Sequence, residues 1–196
     1  MAKKSELDRE IDKLTIAIGS YPNIAVSYSN RGVALIRKGE NDLAIKDLNE
    51  AIRLDPSFAE AYAYRGLAWL RKGELDHAIA DHDEAVRLGP DLAPAHNNRG
   101  LAWVRKGEID QAIRDYTEAI RIDPTLAVTY SNRGLAWYRK GELDRAVEDC
   151  TEAIRLAPSD AVTYRCRGLA REALGDRTGA EADFAKAREL GFHGDS

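Results

Sequence analysis

The sequence predicts an all-α fold of stacked antiparallel helical hairpins, an α-solenoid, and three observations carry that prediction. The first is a period of 34 residues: Gly32, Gly66, Gly100, Gly134 and Gly168 are each 34 apart, and so are Gly39, Gly73, Gly107, Gly141 and Gly175. The second is a proline row on the same period, Pro22, Pro56, Pro90, Pro124 and Pro158. The third is the lack of any strand alternation inside the unit. A period of this length without strands means that each copy buries its apolar face on the next, so the core is a run of contacts between neighbours.

Residues 1–22 form an N-terminal capping half repeat. Leu7, Ile11, Leu14 and Ile18 make one helical stripe. Counting 34 forward lays Leu14, Ala17 and Ile18 over Leu48, Ala51 and Ile52, so this helix is in register with the second helix of a repeat and lacks a first. Glu10 stands where complete copies carry Ala44 and its equivalents, which suits an outer face. Complete repeats follow at 23–56, 57–90, 91–124, 125–158 and 159–192, together one elongated domain.

Each repeat opens after proline with an expected N-cap, Asn23, Ser57, Asp91, Thr125 or Ser159. Its first helix runs to an Arg-Lys-Gly such as Arg37-Lys38-Gly39, which sets cations at the negative helix end and a residue able to turn left-handed after it. Acids then open the second helix. Small residues 12 apart, Gly32 with Ala44 and so on, let the two helices approach closely. Trp69, Trp103 and Trp137 recur at core spacing. The last copy is its own cap: Arg171, Arg177, Glu181 and Arg188 replace apolar residues, and charges facing outward at both ends lead to the expectation of a monomer.

The 34-residue unit with Y…N-R-G-x-A-W…K-G…A-I-x-D…A-I-x-L-x-P resembles the tetratricopeptide repeat over residues 23 to 190. The resemblance implies a right-handed superhelix whose first helices line a concave side. One departure is consistent: the residue before the first glycine, usually leucine in that family, is Arg31, Arg65, Arg99, Arg133 and Arg167. An equally regular row, Asp47, Asp81, Asp115, Asp149 and Asp183, is expected to pair with it across helices.

Composition narrows function. The net charge of −4 weighs against broad, salt-dependent nucleic-acid binding. The first residues lack the apolar run of a signal peptide, and no stretch of 18 apolar residues occurs, so a cytoplasmic protein is expected. Cys150 and Cys166 fall at different repeat positions and are expected to be reduced thiols. His77, His82, His96 and His193 share no i, i+4 spacing, so neither a metal nor another cofactor is expected. No phosphate loop, HExxH, GxSxG or CxxC is present, and the expectation is a protein without catalysis.

The resemblance places three rows on the concave side, and the site expected there binds an extended peptide of mixed acidic and apolar character. Asn30, Asn98 and Asn132 can bind a peptide backbone, although Tyr64 and Cys166 break the row. Val33, Leu67, Leu101, Leu135 and Leu169 form an apolar row, with Ile36, Leu70, Val104 and Tyr138 one turn on; inter-repeat core is its other reading. Arg37, Arg71, Arg105 and Arg139 form a basic row, whose other reading is complementation of the helix ends. The two-carboxylate clamp of chaperone-tail binders is absent, since its lysine position holds Ser29, Ala63, Asn97, Ser131 and Arg165. The alternatives are a single-stranded RNA binder using the arginines, or part of a larger repeat protein with no private ligand.

Overall fold

The computed structural model describes residues 5–192, and these form eleven α-helices and no strand. In order they are α1 (Glu6–Ser20), α2 (Ala25–Lys38), α3 (Asn41–Leu54), α4 (Ala59–Lys72), α5 (Leu75–Leu88), α6 (Ala93–Lys106), α7 (Ile109–Ile122), α8 (Ala127–Lys140), α9 (Leu143–Leu156), α10 (Ala161–Ala173) and α11 (Arg177–Glu189). They pack as two compact units, Met1–Ala102 and Trp103–Ser196. In the first unit α2 pairs with α3 and α4 with α5, while α1 lies on α2 and α3 on α4. In the second, α8 pairs with α9 and α10 with α11, with α7 against α8 and α9 against α10.

Local chemistry sets the helix ends. Gly39, Gly73 and Gly141 end α2, α4 and α8 at φ near +85°, and the next amide reaches back to close the turn, as Glu40 N does to the Leu35 carbonyl at 2.9 Å. A Cβ would strain that left-handed backbone, hence the glycine row. The starts differ from expectation. The residues before α2, α4 and α8 are Ile24, Phe58 and Leu126, none with a capping side chain. Ser57 and Thr125 instead donate backwards to Asp55 and Asp123, at 2.7 and 2.6 Å, in the turn that leaves the previous helix. These two expected N-caps therefore close the turn, and of α2, α4, α8 and α10 only α10 has a side-chain cap, Val162 N donating to the Asp160 carboxylate at 3.2 Å.

Within a hairpin the glycine meets the residue 16 further on. A Cβ on Gly32 would lie 2.9 Å from Leu48 Cγ, one on Gly66 2.9 Å from the His82 ring, and one on Gly134 2.8 Å from Cys150 Sγ and 3.3 Å from the Ala146 carbonyl. At Gly134 the alanine 12 residues on, Ala146, lines the same contact through its backbone. Around it in the first unit, Leu35, Ile45, Leu48 and Ala61 form the core, and Trp69 packs on its edge. In the second unit Trp103 and Trp137 lie against Ala112, Ile113, Tyr116 and Ala136. Lysines cover the outer faces of these rings, Lys72 over Trp69 at 5.1 Å and Lys140 over Trp137 at 5.7 Å.

The arginine and aspartate rows pair as forks. Nε and Nη2 of Arg31, Arg65, Arg133 and Arg167 donate to both carboxylate oxygens of Asp47, Asp81, Asp149 and Asp183, at 2.6–2.9 Å. The remaining Nη1 reaches the second helix of the preceding repeat: Thr15, Asn49, Asp83, Thr117 and Thr151 accept from Arg31, Arg65, Arg99, Arg133 and Arg167 at 2.7–3.2 Å. Tyr28, Tyr62, Tyr130 and Tyr164 lie beneath the guanidinium groups. In the last repeat Arg171 does not face solvent as an isolated charge. It donates to Asp183 at 2.9 Å, which thus accepts from two arginines.

Two substitutions test this packing. Gly134→Leu should cost about 1 to 3 kcal/mol, because the added side chain meets Cys150 and backbone. Asp149→Ala should cost about 3 to 5 kcal/mol by leaving the Arg133 guanidinium half-buried without its carboxylate. Denaturant titration followed by circular dichroism measures both, and an unchanged midpoint would overturn either contact.

Candidate functional site

The candidate site is the face presented by the first helices. In the first unit Asn30 on α2 is exposed and Tyr64, in the same register on α4, is 37% exposed. Asn98 on α6 is half-buried and its Oδ1 accepts from Asn97 Nδ2 at 3.2 Å. Leu67 and Leu101 are half-buried, and Leu67 rests on the core of the hairpin below. Leu70 is only 3% exposed: it is core, and with Ile36 it forms the floor of this face and not its surface.

The basic row is mostly engaged by the protein itself. Arg71 Nη1 donates to the Ile36 carbonyl at the end of α2, so it caps the helix of the preceding repeat and not only its own. Arg37 lies one repeat earlier and bonds Glu10 of α1 at 3.2 Å. The lysines beside them bind backwards too: Lys38 to Asp8 at 2.9 Å, Lys72 to Asp42 and Lys140 to Asp110 at 2.6 Å each. Cations at the helix ends thus tie successive repeats together.

A cavity of about 350 Å³ opens beside α2, lined by Glu10, Lys13 and Leu14 of α1, by Asn30 and Val33, and by Tyr64. The sequence rows identify only Asn30 and the apolar register of Val33 here. The contribution of α1 was legible only by counting 34 back from α3. α1 itself is anchored by a capping box between Ser5 and Asp8. Bonds from Lys38 and Ser5 hold the Asp8 carboxyl down at about 2, below the ordinary 3.8. Because the folded value is the depressed one, this contact favours the docked helix above the ordinary carboxyl range and is lost as pH falls through about 2. Carbon-detected NMR titration should place the Asp8 midpoint near 2; a midpoint at the ordinary value would remove the anchor.

In the second unit Asn132, Leu135, Val104 and Tyr138 are half-buried, and Arg105 and Arg139 are exposed. Val104 packs with Ala112, Ile113 and Tyr116, so part of its side chain is core. Burial pushes the Tyr116 phenol up. At the place an asparagine would hold, Cys166 is buried, and its sulfur accepts a hydrogen bond from Cys150, which raises the Cys150 thiol and lowers that of Cys166. Both cysteines are free; their meeting across α9 and α10 was not foreseen from repeat positions alone. Among the described residues no group of His, Cys, Asp and Glu could hold a metal ion, and no helix is long and apolar enough to cross a membrane.

Three segments match repeat profiles: residues 29–93 and 127–160 match the tetratricopeptide repeat and residues 104–141 the TPR repeat. The chain also superposes on the crystal structure of MamA with a TM-score of 0.73 at 30% identity, over 81% of this chain and 93% of that one. The chain belongs to the tetratricopeptide repeat family. Two more distant structures share the tetratricopeptide repeat fold. YrrB, a TPR protein with an unusual peptide-binding site, has a TM-score of 0.72 at 22% identity, over 92% of this chain and 93% of its own. MamA from Desulfovibrio magneticus RS-1 has a TM-score of 0.75 at 23% identity, over 88% and 97%. No curated protein matches the chain.

Proposed function

We propose that the protein is a non-enzymatic cytoplasmic scaffold that holds an extended segment of a partner protein on the face of its first helices. The observation that carries this reading is the Asn30 amide, exposed on that face while the neighbouring cations Arg37, Lys38, Arg71 and Lys72 are engaged by the protein itself. An amide offers both a donor and an acceptor to a peptide backbone. Family membership and the likeness to YrrB, a TPR protein with an unusual peptide-binding site, support it.

Magnitudes define the ligand. Three asparagines at about 0.5 to 1.5 kcal/mol each supply at most a few kcal/mol, and micromolar affinity needs about 8. The remainder must come from apolar contact with Leu67, Leu101, Leu135 and the exposed parts of Val104 and Tyr138, and from acids meeting Arg105 and Arg139. Leu70 is buried, and Arg37 and Arg71 are held by Glu10 and the Ile36 carbonyl, so these three contribute little. A segment mixing acidic and apolar residues fits.

Affinity capture with mass spectrometry supplies the partner, and peptide scanning its segment. Asn98→Ala and Asn132→Ala should each weaken binding severalfold and together at least tenfold with helicity unchanged, whereas Glu50→Ala, on a second helix, should not. Normal binding by the asparagine variants would overturn the reading. Capture of single-stranded RNA with an affinity that falls steeply with salt would replace it.

A further inference from the structure

The cavity beside α1 lies where the repeat register would seat a first helix against α1. Counted forward by one period, its α1 wall, Glu10, Lys13 and Leu14, becomes Ala44, Asp47 and Leu48. Those are the residues of α3 on which α2 packs: Asp47 takes the fork of Arg31, and Leu48 lies where a Cβ on Gly32 would touch it. On α1 the same three positions face the opening, with Asn30, Val33 and Tyr64 as the opposite wall. The Arg37 bond to Glu10 fits this reading. Arg71 caps the carbonyl end of the first helix before it; Arg37 has no described first helix before it and takes a carboxylate of α1 instead.

We infer that this slot receives an amphipathic helix of a partner protein, one that presents a small residue to Leu14 and a carboxylate to Lys13. The same walls hold a helix in the complete repeat that follows, which favours a helix over an extended strand as the occupant. Charge decides whose helix it is. In the complete repeats the second helix offers an aspartate and the first an arginine; on α1 the sign is inverted to lysine, whose amine makes no ion pair among the described residues. Every first helix of this chain carries arginine just before its glycine, at Arg31, Arg65, Arg99, Arg133 and Arg167. A second copy docking by a first helix would set arginine against Lys13, so the slot selects against self and for an acidic foreign helix.

The test uses two labelled peptides that copy residues 25–38, one unaltered and one with Arg31→Glu, each held helical by a lactam bridge because an isolated helix of this length is marginal. Fluorescence anisotropy with the full chain should show the glutamate peptide binding at least tenfold more tightly. The Lys13→Glu protein should reverse that order, a gain for the arginine peptide that unfolding cannot produce. Asn98→Ala should leave both affinities unchanged, which separates this slot from the face proposed for the extended segment. Equal binding of the two peptides, no binding of either at millimolar concentration, or an order unmoved by Lys13→Glu would overturn the inference. So would a dimer of the chain that Lys13→Glu abolishes, because the slot would then belong to a second copy.

Discussion

In the first, second, fourth and fifth repeats one guanidinium group, that of Arg31, Arg65, Arg133 or Arg167, touches two second helices at once. Two of its nitrogens close on the aspartate of its own hairpin, and the third reaches a threonine or asparagine on the second helix before. Only arginine can do this, since its donors are spread in a rigid plane; a lysine amine in the same place would satisfy one neighbour as a point charge. The aspartates are nearly buried, Asp149 at 7% and Asp183 at 3%, so the pair is costly to desolvate and must be completely bonded to be tolerated. The tyrosine under each fork and the third contact complete it. This explains why the arginine row and the aspartate row recur together where the family more often has a leucine.

The same interaction accounts for the chemistry of the two ends. The acceptor row for the third contact runs Thr15, Asn49, Asp83, Thr117, Thr151, and the next member is Ala185, which has no acceptor. At the other end the aspartate row begins with Lys13, which would repel an arginine. Neither end therefore offers the groups that join two repeats inside the chain. The last repeat goes further and turns the interaction inward, with Arg171 in place of a tryptophan sharing Asp183 with Arg167.

Helices, turns and the pairing of arginine with aspartate were legible because the period repeats each of them five times, so that every chance coincidence averages out. What failed to show were contacts that link positions in different copies. The backward reach of Arg31 to Thr15 and of Arg71 to Ile36 crosses repeats and leaves no mark on the unit itself. Cys150 and Cys166 occupy different positions of the unit and meet only because α9 packs on α10. The N-caps were misread for a local reason. Ser57 and Thr125 are a residue too early, and their hydroxyls find an aspartate two residues back before the helix begins. Of the site, Asn30 is the exposed amide the row led one to expect, whereas Asn98 and Asn132 are half-buried; for Leu70 the core and surface readings stood side by side, because a residue one turn beyond a glycine can face either neighbour.

Charges committed to cohesion are withdrawn from recognition, and this limits where specificity can lie. Lys38, Lys72 and Lys140 are committed to the preceding repeats, and Arg31, Arg65, Arg133 and Arg167 are committed to the forks. Positions free to distinguish one ligand from another are those where the period is broken. Tyr64 interrupts the asparagines of the first unit, and Lys13 inverts the sign of its row. A perfectly periodic face would bind a segment equally well after a shift of one repeat. The breaks remove that degeneracy, so for a segment bound as proposed the irregular residues, and not the consensus ones, would set register and direction.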